Sequence, residues 1–168
     1  FPCQGGPGTY NTAGGFPNTR SNLLNYTAVG GRAFTTHYHY DLLNGNGSFS
    51  GTANWIGDTN NATGPDTGFI DTSFARGLKL AQWLNQPIVY GGTYGQIPVS
   101  YIRQDFTSVN APAQRWMSMQ APNPANMPVH YTFDTPFQAS TTCGRVVYSD
   151  FHVENSGGST GLSFPTEC

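Results

Sequence analysis

Two stretches of this chain share one plan. Residues 30–43, GGRAFTTHYHYDLL, and 143–154, CGRVVYSDFHVE, each open on Gly-Arg, run through β-branched and aromatic residues, and close on aspartate and histidine. Such runs form strands, so the fold must hold both in a sheet. Side chains two apart on a strand share a face. His37 and His39 are therefore expected to project together, with Asp41 extending the row, and Asp150 with His152 on the later strand. If the two strands are parallel neighbours, their ends meet at one rim, which is where open α/β sheets bind ligands.

Elsewhere along the chain the pattern changes period. NTRSNLLNYTAVGG reads as a short helix that Asn18 or Thr19 can cap, with Leu23 and Leu24 inward and Gly30 and Gly31 ending it. DTSFARGLKLAQWLNQP is the clearest helix. Its apolar face runs through Phe74, Leu78, Ala81 and Leu84 or Trp83, and Pro87 stops it. Residues 44–71 form a polar, turn-rich excursion, either an inserted hairpin or a surface loop. IVYGGTYGQIPVSYIRQDF, punctuated by Gly and Pro, reads as a ribbon near a sheet edge. Strands at 129–137 and 144–154 follow. This order predicts an α/β or α+β sandwich with a mixed sheet in a single domain over 1–168.

The two quoted stretches also carry a resemblance. NLLNYTAVGGRAFTTHYH is similar to the helix and strand of glutamine-amidotransferase-like domains, above all the ThuA-like branch, in which a helix ends at Gly-Gly and the next strand ends in histidine. CGRVVYSDFHVE resembles their late strand. The resemblance implies a flavodoxin-like three-layer sandwich, here with a β-rich insertion and incomplete at the start, where FPC would end a preceding strand. Class I glutamine amidotransferases place a cysteine just after the strand that here runs into THYHY, and this chain has none there. The resemblance thus implies fold and gives no support to amidotransferase chemistry.

Only 10% of the residues are charged, against about 25% in typical soluble domains. Asn, Thr, Ser and Gln supply the polarity, which suits an extracellular or cell-surface location. A formal net charge of -2 gives no basic field for nucleic acid, and no apolar run reaches the roughly 18 residues of a membrane span. The chain begins FPCQGG without Met and reads as a fragment of a longer secreted protein. Its cysteines, Cys3, Cys143 and Cys168, are odd in number. Two are expected to form a disulfide, preferably including Cys168 to tether the tail, and the partner choice stays open. Three N-x-Ser/Thr triplets, at Asn25, Asn46 and Asn61, matter only in a glycosylating host.

These features lead to three functional expectations. The first is a secreted or surface domain with a binding or structural role, packing against copies of itself or a surface protein through an open strand edge. The second is a metal-dependent hydrolase: His37, His39, Asp150 and His152 would hold zinc or copper and activate a bound water. The third is a carbohydrate-binding module. Trp55, Arg115 and Trp116, with Tyr90, Tyr94 and Tyr101, would offer flat rings and polar groups to a glycan. No Gly-x-Ser-x-Gly elbow supports a serine nucleophile, and the acids Asp134, Asp150 and Glu154 form no specific glycosidase pair.

Overall fold

The structure is a computed structural model that describes residues 18–44, 47–57, 66–99, 101–120 and 126–151. It is an α/β arrangement around a mixed six-stranded sheet. Helix α1 (Thr19–Ala28) leads into β1 (Arg32–Thr36). A 3-10 turn (His37–His39) and a short α2 (Tyr40–Asn44) follow. β2 (Ala53–Trp55) and β3 (Asp66–Ile70) precede α3 (Ala75–Leu84). Then come β4 (Gln96–Val99), β5 (Phe106–Val109), β6 (Gln114–Met119), β7 (Pro128–Thr135) and β8 (Gly144–Ser149). The main sheet runs β1-β8-β7-β6-β3-β4, with β2 and β5 forming a separate antiparallel ribbon.

β1 and β8 pair in parallel from Arg32 opposite Arg145 to Thr36 opposite Ser149. Among the described residues every other pairing is antiparallel. The two Gly-Arg runs therefore lie side by side and in register. The crossing of α1 into β1 packs closely against the start of β8. Gly30 adopts φ 102°, and the Gly31 amide donates to the Tyr26 carbonyl at 2.9 Å. Thr135 Oγ1 donates to the Thr27 carbonyl at 2.8 Å. A methyl group on Gly144 would strike the Thr27 carbonyl, the Thr135 hydroxyl and the Gly31 carbonyl, so only glycine fits there.

Two clusters of buried side chains fill the interior. One joins Leu23 of α1 and Leu42 and Leu43 of α2 to Phe106 of the ribbon and Tyr131, Phe133, Val146 and Tyr148 of the sheet. The other gathers Ala81 of α3 with Ile70, Val99, Met117, Met119 and Val129. Thr52 fixes the ribbon over the sheet, because its Oγ1 lies 2.9 Å from the buried Tyr131 hydroxyl.

Three expectations change at this level. The strand expected through Tyr40 stops at Thr36, since His37 takes a left-handed φ of 48°. The polar excursion contributes β2 to the ribbon and β3 to the main sheet, with 58–65 outside the described residues. On α3, Ala81 is buried, but Leu78 and Trp83 face out at 37% and 58% exposure. Leu84 packs against the core in their place.

Candidate functional site

The parallel register of β1 and β8 brings His37 and Asp150 to one rim, and Tyr148 links them. Its hydroxyl lies 2.9 Å from the His37 carbonyl, 2.9 Å from Asp150 Oδ1 and 3.3 Å from Asp105 Oδ2. Asp105 is held there by the ribbon, since its carbonyl accepts from the amides of Ile56 and Gly57 at 2.8 and 3.0 Å. Its own amide donates to Asp150 Oδ2 at 2.8 Å. Arg103 closes the group. Its Nε meets Asp105 Oδ2 at 2.8 Å and its Nη2 meets Oδ1 at 3.3 Å. The guanidinium carbon sits 4.3 Å from the Tyr38 ring centroid and 5.0 Å from that of Tyr40, within cation–π range.

All four side chains at the centre of this group, Arg103, Asp105, Tyr148 and Asp150, are at most 1% exposed. Burial, followed by the charge of Asp105, holds the Asp150 carboxyl well above its ordinary range. Burial and the two carboxylates push the Tyr148 phenol up as well. Arg103 and Asp105 escaped the sequence reading. Their signal is the spacing in IRQDF, where a cation and an anion two residues apart can share one side of an extended segment.

The histidines do not form the expected row. His37–His39 is a 3-10 turn with about three residues per turn, so positions two apart diverge. His39 is buried and turned back onto its own cap: its Nδ1 accepts the Thr36 amide at 3.2 Å, while the Thr36 side chain accepts from the His39 amide. Its ring lines a cavity of about 260 Å³ beside α1. The His37 ring packs edge-on to Tyr38 at 4.3 Å. Asp41 is drawn away to Arg20, 2.8 Å from Oδ1. β8 ends at Ser149, so Asp150 follows the strand, and His152 lies outside the described residues. Both Asp150 oxygens are occupied by Asp105 and Tyr148. Among the described residues no group of three His, Cys, Asp or Glu side chains is placed to hold a metal.

Trp55, Arg115 and Trp116 do not make one sugar-binding face. Trp55 donates from Nε1 to the Ser50 carbonyl at 3.0 Å and packs 5.5 Å from Phe106 and 5.9 Å from Tyr148, centroid to centroid. Trp116 donates to Thr132 Oγ1 at 2.9 Å and meets Phe74 edge-on at 5.0 Å, beside the other core cluster. Arg115 pairs with Asp71 at 3.1 Å. Cys143 is exposed, and its thiol donates to the Ala28 carbonyl at 3.3 Å; Cys3 and Cys168 lie outside the described residues.

Exposed rings lie elsewhere: Tyr26 and Phe34 stand on α1 and β1, and a longer exposed apolar run follows α3. Trp83, Ile88, Val89, Tyr90 and Tyr94 are all solvent-exposed, with Ile88 at 94%. They occupy the end of α3 and the turn that leads into β4, the strand at one end of the sheet order. No protein-family model, no curated protein and no solved structure matches this chain. Among the described residues no helix is long and apolar enough to cross a membrane.

Proposed function

We propose that this chain is an extracellular or cell-surface binding domain that works through the β4 edge and the turn before it. We also propose that its α/β architecture is of the flavodoxin-like, three-layer kind implied by the ThuA-like resemblance. The parallel β1–β8 pair preceded by α1 supports that reading, while the other described pairings are antiparallel. One contrast carries the functional proposal. The polar cluster at the strand ends is closed to solvent and its groups are bonded to one another, whereas five large apolar side chains between residues 83 and 94 stand exposed beside a sheet edge. Exposed apolar groups gathered in one place mark interaction surfaces, and a buried network of this kind braces a fold. A surface carried by hydroxyls and amides, with 10% charged residues, fits an extracellular setting.

The test compares the wild type with a Trp83→Ser/Ile88→Ser/Tyr90→Ser variant. Both are run in sedimentation velocity alone and in co-sedimentation with intact bacterial cells. The expected result is that the variant keeps its melting temperature within about 3 °C, as surface substitutions do, and loses the association seen with the wild type. Equal behaviour of the two proteins in both assays would overturn the proposal. So would stoichiometric zinc or copper retained through dialysis and lost in His37→Ala/His39→Ala, which would restore the metal-dependent hydrolase.

A further inference from the structure

We propose that the cleft beside β4 binds a neutral saccharide, with Tyr90 as the platform for one sugar ring. This inference rests on the binding reading above and names the ligand for that surface. The cleft holds about 190 Å³ and is lined by Thr67, Tyr90, Thr93, Gln96, Ile97 and Pro98. That is below the usual volume of a drug-sized ligand pocket, and we assign it to one ring unit of a longer chain.

The lining selects the chemistry. None of its six side chains is charged, so nothing there favours a phosphate, a carboxylate or a cation. Two threonine hydroxyls, a phenol and a carboxamide can each donate and accept. A polyhydroxylated neutral ligand needs partners of that kind, since each of its hydroxyls also does both. Ile97 and Pro98 add apolar contact, and Tyr90 adds a flat face.

That face is preorganised. The Tyr90 ring lies so close over Gly92 that a methyl group there would collide with it. The ring is still 48% exposed, so it rests on backbone and remains open to solvent. The turn beneath it is pinned. The amides of Val89 and Tyr90 donate to the Gln86 carbonyl at 2.9 and 3.1 Å, and the Gly91 amide donates to the Leu84 carbonyl at 3.1 Å. Gly91 takes φ 68°, and the Gln96 amide donates to Thr93 at 3.0 Å. A ring fixed before binding gives up little conformational entropy on contact.

The experiment titrates the protein with maltohexaose, cellohexaose and chitohexaose by isothermal calorimetry. The variants are Tyr90→Ala, Gly92→Ala and, as a control, Tyr26→Ala, an exposed tyrosine on α1. We expect at least one hexasaccharide to bind with a Kd on the order of 10 μM to 1 mM, equivalent to about 4 to 7 kcal/mol. Tyr90→Ala should weaken it at least tenfold. Gly92→Ala keeps the phenol but displaces it, and should also weaken binding. Tyr26→Ala should bind as the wild type does. Binding that survives Tyr90→Ala unchanged would overturn the inference. So would the absence of binding to all three sugars in a protein whose self-association or cell binding is abolished by the triple serine variant; that pattern leaves the binding surface standing and assigns it to a protein partner. Loss of both results would remove the binding reading together with the saccharide.

Discussion

Asp150→Asn should leave this protein at least as stable at neutral pH, although it removes a fully buried carboxyl at the centre of a hydrogen-bonded cluster. The reason is a count of protons. Tyr148 has one, and its hydroxyl faces three acceptors: the His37 carbonyl, Asp150 Oδ1 and Asp105 Oδ2. With both carboxylates ionised, Asp105 Oδ2 keeps its bond from Arg103, but the single Tyr148 proton must be shared between the His37 carbonyl and Asp150 Oδ1. With Asp150 protonated, its Oδ1 donates to Tyr148, and Tyr148 donates to His37. Arg103 and Asp105 then remain as a neutral pair. Burial and the adjacent Asp105 charge favour the same state by raising the Asp150 pKa. A raised folded-state pKa means that the native protein keeps a proton the unfolded chain releases above about pH 4. Stability from this group is thus complete below that pH and declines as pH rises toward the folded value. The slope approaches about 1.4 kcal/mol per pH unit. Asparagine supplies an N–H to Tyr148 and a carbonyl to the Asp105 amide with no such decline. Urea unfolding of both proteins from pH 5 to 8 should show the variant gaining on the wild type as pH rises. A variant less stable by more than about 2 kcal/mol at every pH would show that Asp150 is ionised in the fold, and would refute the count. Asp105→Asn, by contrast, strips the counter-charge from buried Arg103 and should cost about 3–5 kcal/mol.

Three further outcomes follow from the same geometry. His130, within 2.7 Å of Ser149 Oγ, has its pKa lowered by burial to about 4. Its stabilisation is therefore present above about pH 6.5 and is lost as pH falls toward 4. His130→Gln should remove a term on the order of 2–3 kcal/mol from acid unfolding curves recorded over that window, and identical curves would show that the ring is solvated. Gly144→Ala places a methyl group against the Thr27 and Gly31 carbonyls where α1, β1 and β8 converge. Thermal melts should show a loss of about 3 kcal/mol or more, whereas a neutral result would mean that this crossing is looser than described. Tyr131→Phe removes the hydroxyl that meets Thr52 and should cost about 1 kcal/mol in urea unfolding, with the ribbon still in place.

Local chemistry written along the chain was legible without the fold. The Gly-Arg runs at 32–36 and 144–149 announced strands through their β-branched residues, and Gly30 ended the first helix because only glycine takes its φ cheaply. The edge character of Gln96–Val99 showed in its proline. Sequence could also place the ends of the two Gly-Arg strands together, on the condition that they paired in parallel. It could not decide where the first of them stopped. The backbone turns at His37, and Tyr148 takes the His37 carbonyl, from a strand 111 residues later. That bond is long-range, so no local pattern encodes it, and it dissolves the histidine row that alternation predicted. The same holds for Arg103 and Asp105, whose partners Tyr38, Tyr148 and Asp150 converge only when the ribbon folds over the sheet. Burial sorted the aromatic residues too: Trp55 lies half-buried against the core, and Tyr90 remained outside on Gly92. Sequence determined which segments could be strands, helices and turns, since those preferences are properties of neighbouring residues. Tertiary structure alone decided which polar groups were sealed in and which rings stayed open, because burial belongs to a packed neighbourhood rather than to a residue.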